Sequence, residues 1–191
     1  MGNEPLTELE VAKLIAAGEL PSPTEFHNSR FYCMRVSGTG VAWRRRNLEF
    51  CYRSPTVWLS PEMCQRVAGL PLVEQHPDKN ILDGKSFYDS IVGIFIYGFV
   101  QGDTLYGIAR IIDDRACAVL DGGQWDTSPS VTLDSRVVLK VGYDPLLIED
   151  KPSLLDHVAL VQKGVWSRDA DETPGVEISQ SSQERESADA R

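Results

Sequence analysis

From residue 31 to residue 161 the hydrophobic pattern is mostly that of strands: short β-prone runs separated by glycine, proline and small polar residues. Residues 31–36 form one such run, stopped by Ser37-Gly-Thr-Gly40, and residues 48–53 form another. Residues 61–67 read as one or two helical turns, with Ser60 as the cap and Gly69 as the stop. Residues 70–73 make a short buried strand leading to His76, and residues 77–90 a polar loop containing Gly84. Residues 91–100 and 104–112 pair as a hairpin across Gln101-Gly-Asp103. A short helix follows over 113–120, capped by Asp113 or Asp114. Strands over 128–133 and 136–141 are split by Asp134-Ser135, and 157–161 is the last strand. Many short strands with few helices predict a mainly β (α+β) fold, an antiparallel β-barrel, closed or partly closed, with a few short helices.

The two ends differ from this body. Residues 1–30 read as an N-terminal helix and linker. Thr7 and Glu10 make a capping box, Val11, Leu14 and Ile15 recur at helical spacing, and Gly18 and Pro21-Ser-Pro23 end the helix. Such a helix docks on the body or on a partner. Residues 167–191 are rich in Ser, Glu, Asp and Gln, and cannot offset their ordering entropy by burial; a disordered acidic tail is expected. The ordered domain spans residues 31–166.

At 191 residues and 42% apolar the chain has enough for one core of ordinary size. Its net charge of −9 disfavours a nucleic-acid partner, which needs clustered Lys and Arg. The one dense basic run, Arg44-Arg-Arg46, reads as a solvated loop between strands. Four cysteines, Cys33, Cys51, Cys64 and Cys117, form no CxxC pair, which argues against zinc or redox motifs and for buried free thiols. No signal peptide is visible, so a reducing cytosolic setting is expected. The longest apolar run, 91–100, is too short to span a bilayer. The four tryptophans read as core or rim aromatics, Trp125 being a possible wall of a groove. Asp78, Asp83 and Asp89 are spaced too irregularly for a metal site, and no cofactor is expected.

Candidate chemistry centres on three histidines, His27, His76 and His157. His27 falls in the linker. The other two flank, in sequence, the hydroxyl-rich segment Thr127-Ser-Pro-Ser-Val131. A serine hydroxyl needs a nearby base to become a nucleophile, and the base needs a third group to orient it. Ser128 or Ser130 can serve as nucleophile, His76 as base, and His157, Asp156 or Asp126 as orienter. There is no GxSxG elbow, which disfavours an α/β-hydrolase.

In order, the segments Leu70-Pro-Leu-Val-Glu-Gln-His-Pro77, Ser90-Ile-Val-Gly-Ile94, a hairpin, a helix ending in Gly122-Gly123, Thr127-Ser-Pro-Ser-Val131 and Asp156-His-Val-Ala-Leu-Val161 resemble the capsid maturation (prohead) proteases of tailed bacteriophages. Those enzymes share a fold with the herpesvirus assemblins. The resemblance covers roughly residues 32–166 and implies His76 as base, Ser128 as nucleophile and His157 as third member. It implies a serine endopeptidase cleaving scaffold and major capsid protein inside the procapsid, in the cytoplasm of a bacterial host. Homo-oligomers and self-cleavage near a terminus fit that picture. Ser130 stands where the family has glycine, and Pro129 lacks an N–H that could help hold an oxyanion. The family draws oxyanion donors from the loop after the last motif, here residues 163–168 with Gly164. A neutral imidazole as third member stabilises an imidazolium less than a carboxylate does, so a slow enzyme is expected, with Asp156 as a solvated neighbour. A catalytically inactive capsid-associated or scaffolding protein of the same fold is the alternative. A small-ligand barrel is the third reading, and it requires no approach of His76, Ser128 and His157.

Overall fold

The computed structural model describes residues 5–44, 47–135, 137–141, 144–166 and 175–177. Helix α1 (Glu8–Ala16) begins as the capping box requires: the Thr7 hydroxyl accepts from the Glu10 amide, and the Glu10 carboxylate accepts from the Thr7 amide. Its apolar stripe, Val11, Ala12 and Ile15, is buried against Phe31, Cys33 and Ile108. The helix therefore docks on the body of its own chain. Next come β1 (Thr24–Phe26), β2 (Ser29–Gly38), β3 (Gly40–Arg44), β4 (Glu49–Arg53), α2 (Pro55–Trp58), α3 (Pro61–Val67) and β5 (Pro71–Val73). Helix α4 (Gly84–Ser90) precedes the hairpin β6 (Ile91–Gln101) and β7 (Thr104–Ile111). Helix α5 (Asp114–Asp121), β8 (Asp126–Thr132), β9 (Val137–Val141), β10 (Asp144–Glu149), β11 (Leu154–Val161) and β12 (Val176–Glu177) complete the order.

Elements β1, β3, α2, α4, β10 and β12 are not expected from the sequence, and for α4 and β10 the reason is local. Helix α4 occupies part of the polar loop. None of its residues is buried, so it shows no apolar stripe; the Asp83–Ser86 capping box starts it. Strand β10 carries Pro145, an apparent breaker, but at its second residue, opposite Lys140.

The larger sheet has the order β1-β2-β7-β6-β5-β11-β8, with β12 on β2; the smaller has the order β3-β4-β10-β9. The fold is mainly β with a few short helices. Neither hydrogen-bonded sheet closes on itself, so the expected barrel is not shown, and the pairs β5–β11 and β4–β10 are parallel. Strand β2, next to the edge strand β1, and the edge strand β8 approach through the Thr127 hydroxyl, which donates to the Arg35 carbonyl. Residues 175–177 bond to both sides: Arg35 N–H donates to the Gly175 carbonyl, and Val176 N–H to the Trp125 carbonyl. A Cβ on Gly175 would lie 2.1 Å from Asp126 Oδ1, so only glycine fits there. Of the expected tail, residues 167–174 and 178–191 lie outside the described residues, whereas Val176–Glu177 pairs with Met34 and Cys33.

The main core gathers Tyr32, Met34, Trp58, Leu72, Phe95, Leu105, Ile111, Leu120 and Val158. Cys33, Cys51 and Cys117 are buried free thiols, and Cys64 is half-buried. The outer face of the smaller sheet is apolar: Val41 and Trp43 on β3, Val137 and Leu139 on β9, all exposed at the sheet's two edges. Among the described residues, no helix is long and apolar enough to cross a membrane.

Candidate active site

Strand β11 lies between β5, to which it runs parallel, and β8, to which it runs antiparallel. Register places Ser130 opposite His157 and Ser128 opposite Ala159. Directly opposed residues share a face, and so do residues two apart on one strand. Ser-Pro-Ser therefore presents both hydroxyls on the His157 side of the sheet. One irregularity matters here. The register slips between Leu155 and His157, so two residues of β11 face Ser130. Core-facing positions change parity across the slip: Leu155 on one side, Val158 and Leu160 on the other. A bulge of this kind leaves Asp156 and His157 together on the face away from the core.

His157 is fully buried. Its Nε2 is 2.8 Å from His76 Nδ1, and its Nδ1 is 2.6 Å from Asp156 Oδ2. The same carboxylate oxygen accepts the Leu82 amide at 2.9 Å. Asp156 is thus not the solvated neighbour expected from its sequence context: only 13% of its side chain is exposed, and it holds the buried imidazole. His76, half-buried, lies three residues beyond β5.

His76, Ser128, Pro129 and Ser130 line one side of a cleft of about 570 Å³. The opposite wall comes from the inner face of the smaller sheet, with Arg44, Arg53 and Glu149. The two candidate nucleophiles are not equivalent. The Ser130 hydroxyl donates to the Asn80 carbonyl at 2.5 Å and is buried. Ser128 is half-buried in the cleft. Among the described residues no hydrogen bond joins Ser128 to His76; catalytic contacts of this type tighten when substrate binds. Pro129 is accommodated because β8 ends its sheet.

Asp126 is no orienter of either imidazole. Its carboxylate accepts the Thr127 and Gly164 amides, both at 2.9 Å, and so anchors the loop after β11. In the loop expected to supply oxyanion donors, the Gly164 N–H points to Asp126, and a Cβ at Gly164 would lie 2.4 Å from the Thr127 carbonyl oxygen. From that same loop Val165 and Trp166 reach the cleft. Trp166, and not Trp125, is the indole that lines the cleft, while Trp58 is fully buried.

Sequence reading missed the charged wall. Arg44 was expected in solvent, yet it bonds Glu149 at 2.7 Å; Arg45 and Arg46 lie outside the described residues. Arg53 is buried, donates to Glu149 at 2.5 Å and to the Ser37 hydroxyl at 2.7 Å, and lies over the Trp58 ring and near that of Trp166. Burial pulls the Arg53 pKa down, and Glu149 opposes that pull. The available signal was the alternation Glu49-x-Cys51-x-Arg53, which places three non-aromatic residues on one face of β4. Cys51 also lines the cleft, and burial pushes its thiol up to about 11, away from nucleophilic use at neutral pH. Asp83 caps α4, and among the described residues no group of three or more His, Cys, Asp or Glu is placed to hold a metal ion. Compared with known family models, curated proteins and solved structures, the chain matches none.

Proposed function

We propose that this chain is a serine endopeptidase, acting through Ser128, His76 and His157, that cleaves scaffold and capsid-protein segments during phage head maturation. The observation that carries the reading is the 2.8 Å contact between two imidazoles 81 residues apart, beside a cleft that also exposes a serine. In the proposed reaction Ser128 Oγ attacks the scissile carbonyl as His76 takes its proton, and the protonated His76 then passes a proton to the leaving amine. Water, deprotonated by His76, hydrolyses the acyl-enzyme and regenerates Ser128. The assemblin-like barrel belongs to the same proposal, as an open form in which residues 175–177 fill the gap between β2 and β8. The small-ligand barrel is disfavoured by the approach of His76 to His157.

The test is co-expression with scaffold and major capsid protein from a tailed phage, with cleavage followed by mass spectrometry. Ser128→Ala and His76→Ala each abolish the products if the proposal holds. Products unchanged in both variants would overturn it. The second reading, an inactive capsid-associated protein of the same fold, is favoured by Pro129 and by the lack of a Ser128–His76 hydrogen bond. It predicts no cleavage by the wild type and no labelling of Ser128 by a fluorophosphonate.

A further inference from the structure

The contacts around Asp156 determine more than the orientation of one ring. A carboxylate offers only lone pairs, so the 2.6 Å contact requires the proton of a neutral His157 to sit on Nδ1. His157 Nε2 is then an acceptor. The 2.8 Å contact from that nitrogen requires His76 to carry its own proton on Nδ1. The lone pair of His76 is thereby left on Nε2. We propose that Asp156 is a positioning residue that sets the tautomers of two successive imidazoles, and so makes Nε2 of His76 the basic nitrogen.

Three features make this a built arrangement. The slip in β11 register brings adjacent residues 156 and 157 to one face. The Leu82 amide holds the carboxylate by a backbone donor. His157 is fully excluded from water, so no solvent competes for its Nδ1. The consequence for turnover rests on the peptidase reading; the tautomers themselves do not. With Asp156 in place the His76 imidazolium formed during reaction is linked, through one ring, to a fixed negative charge. The weak third member expected from a His–His pair alone is thereby reinforced.

The chain has only three histidines, so ¹⁵N-histidine labelling of the full-length protein gives a readable ring spectrum. Above the imidazole titration, His76 and His157 are expected in the Nδ1–H form. Asp156 Oδ2 serves both the Leu82 amide and His157 Nδ1, so the informative variant is one that removes the acceptor: in Asp156→Ala nothing accepts from His157 Nδ1, and both rings switch to Nε2–H, with His157 donating to His76 Nδ1. Asp156→Glu restores Nδ1–H. A wild-type spectrum with Nε2–H on His76 overturns the proposal without any variant being made. So does an Asp156→Ala spectrum in which His76 keeps Nδ1–H. Cleavage is read separately: Asp156→Ala lowers kcat by about 10²-fold or more, with KM little changed, as tautomer inversion does in related relays. If the tautomers switch as described while Ser128→Ala leaves cleavage untouched, the relay stands and the peptidase reading fails.

Discussion

Removing Glu149 should damage this protein far more than an ordinary surface change, and removing its partner as well should repair most of the damage. Glu149 is 3% exposed and is register partner to Arg53 across the parallel β4–β10 pair. Its two oxygens accept from Arg53 Nε at 2.5 Å and Arg44 Nη1 at 2.7 Å. In Glu149→Leu the Arg53 guanidinium stays buried, with the Ser37 hydroxyl and two indole rings as its surroundings but no counter-charge. Breaking a buried pair in this way costs about 3–5 kcal/mol. For a domain of this size each kcal/mol moves Tm by about 2–4 °C, so a fall of about 6–20 °C is expected. In Glu149→Leu/Arg53→Met no unpaired charge remains in the interior, and Arg44 retains Glu49, 3.7 Å away, and solvent. A buried ion pair replaced by apolar groups of similar volume is near neutral or stabilising. The double variant should therefore lie within about 1–2 kcal/mol of wild type. Urea unfolding of the four proteins gives the coupling energy directly. A Glu149→Leu cost below about 1 kcal/mol, or a double variant as unstable as the sum of the singles, would refute the reasoning.

Three further outcomes follow from particular residues. With its thiol pushed up to about 11, Cys51 should resist iodoacetamide at pH 7.5 in the folded chain and react fully in urea, as followed by mass spectrometry. Asp83 is held below the usual carboxylate range by the Ser86 amide, so its folded pKa is depressed; its stabilisation of α4 is present above the ordinary value and fades as pH falls through the folded one. Asp83→Ala should therefore flatten the acid side of the stability profile, measured by urea unfolding from pH 6 to pH 3. Leu139→Lys, on an exposed edge strand, should change stability by no more than about 0.5 kcal/mol yet suppress aggregation seen by light scattering.

Where a local signal set an element, the sequence was sufficient. Thr7 and Glu10 fix the start of α1, Ser60 that of α3, and Gln101-Gly-Asp103 the turn of the β6–β7 hairpin. Helix α4 escaped because its stabilisation is a cap and not an apolar stripe, and β10 because Pro145 looks like a break when the neighbouring strands are not in view. Sheet closure was not legible either. Whether β2 meets β8 directly depends on residues 175–177, in a segment whose composition reads as tail.

The candidate site divides along the same line. His76, Ser128 and His157 could be picked out because each is chemically scarce or stands in a recognisable segment. Asp156 reads as a solvated neighbour of the last strand, and strict alternation along β11 would send residues 156 and 157 to opposite faces. A one-residue slip in register reverses that conclusion, and register is a property of two strands together. The same holds across the cleft. Arg44 reads as a solvated loop charge, and Arg53 as no more than the end of a strand, until β10, from about 100 residues away, sets Glu149 beside them. In both places a carboxylate supplied by a distant strand, or by an unforeseen bulge, turns an isolated polar residue into a held one. Pairing of this kind arises from tertiary register, so a sequence pattern can nominate the imidazoles and guanidinium groups but not the acids that anchor them.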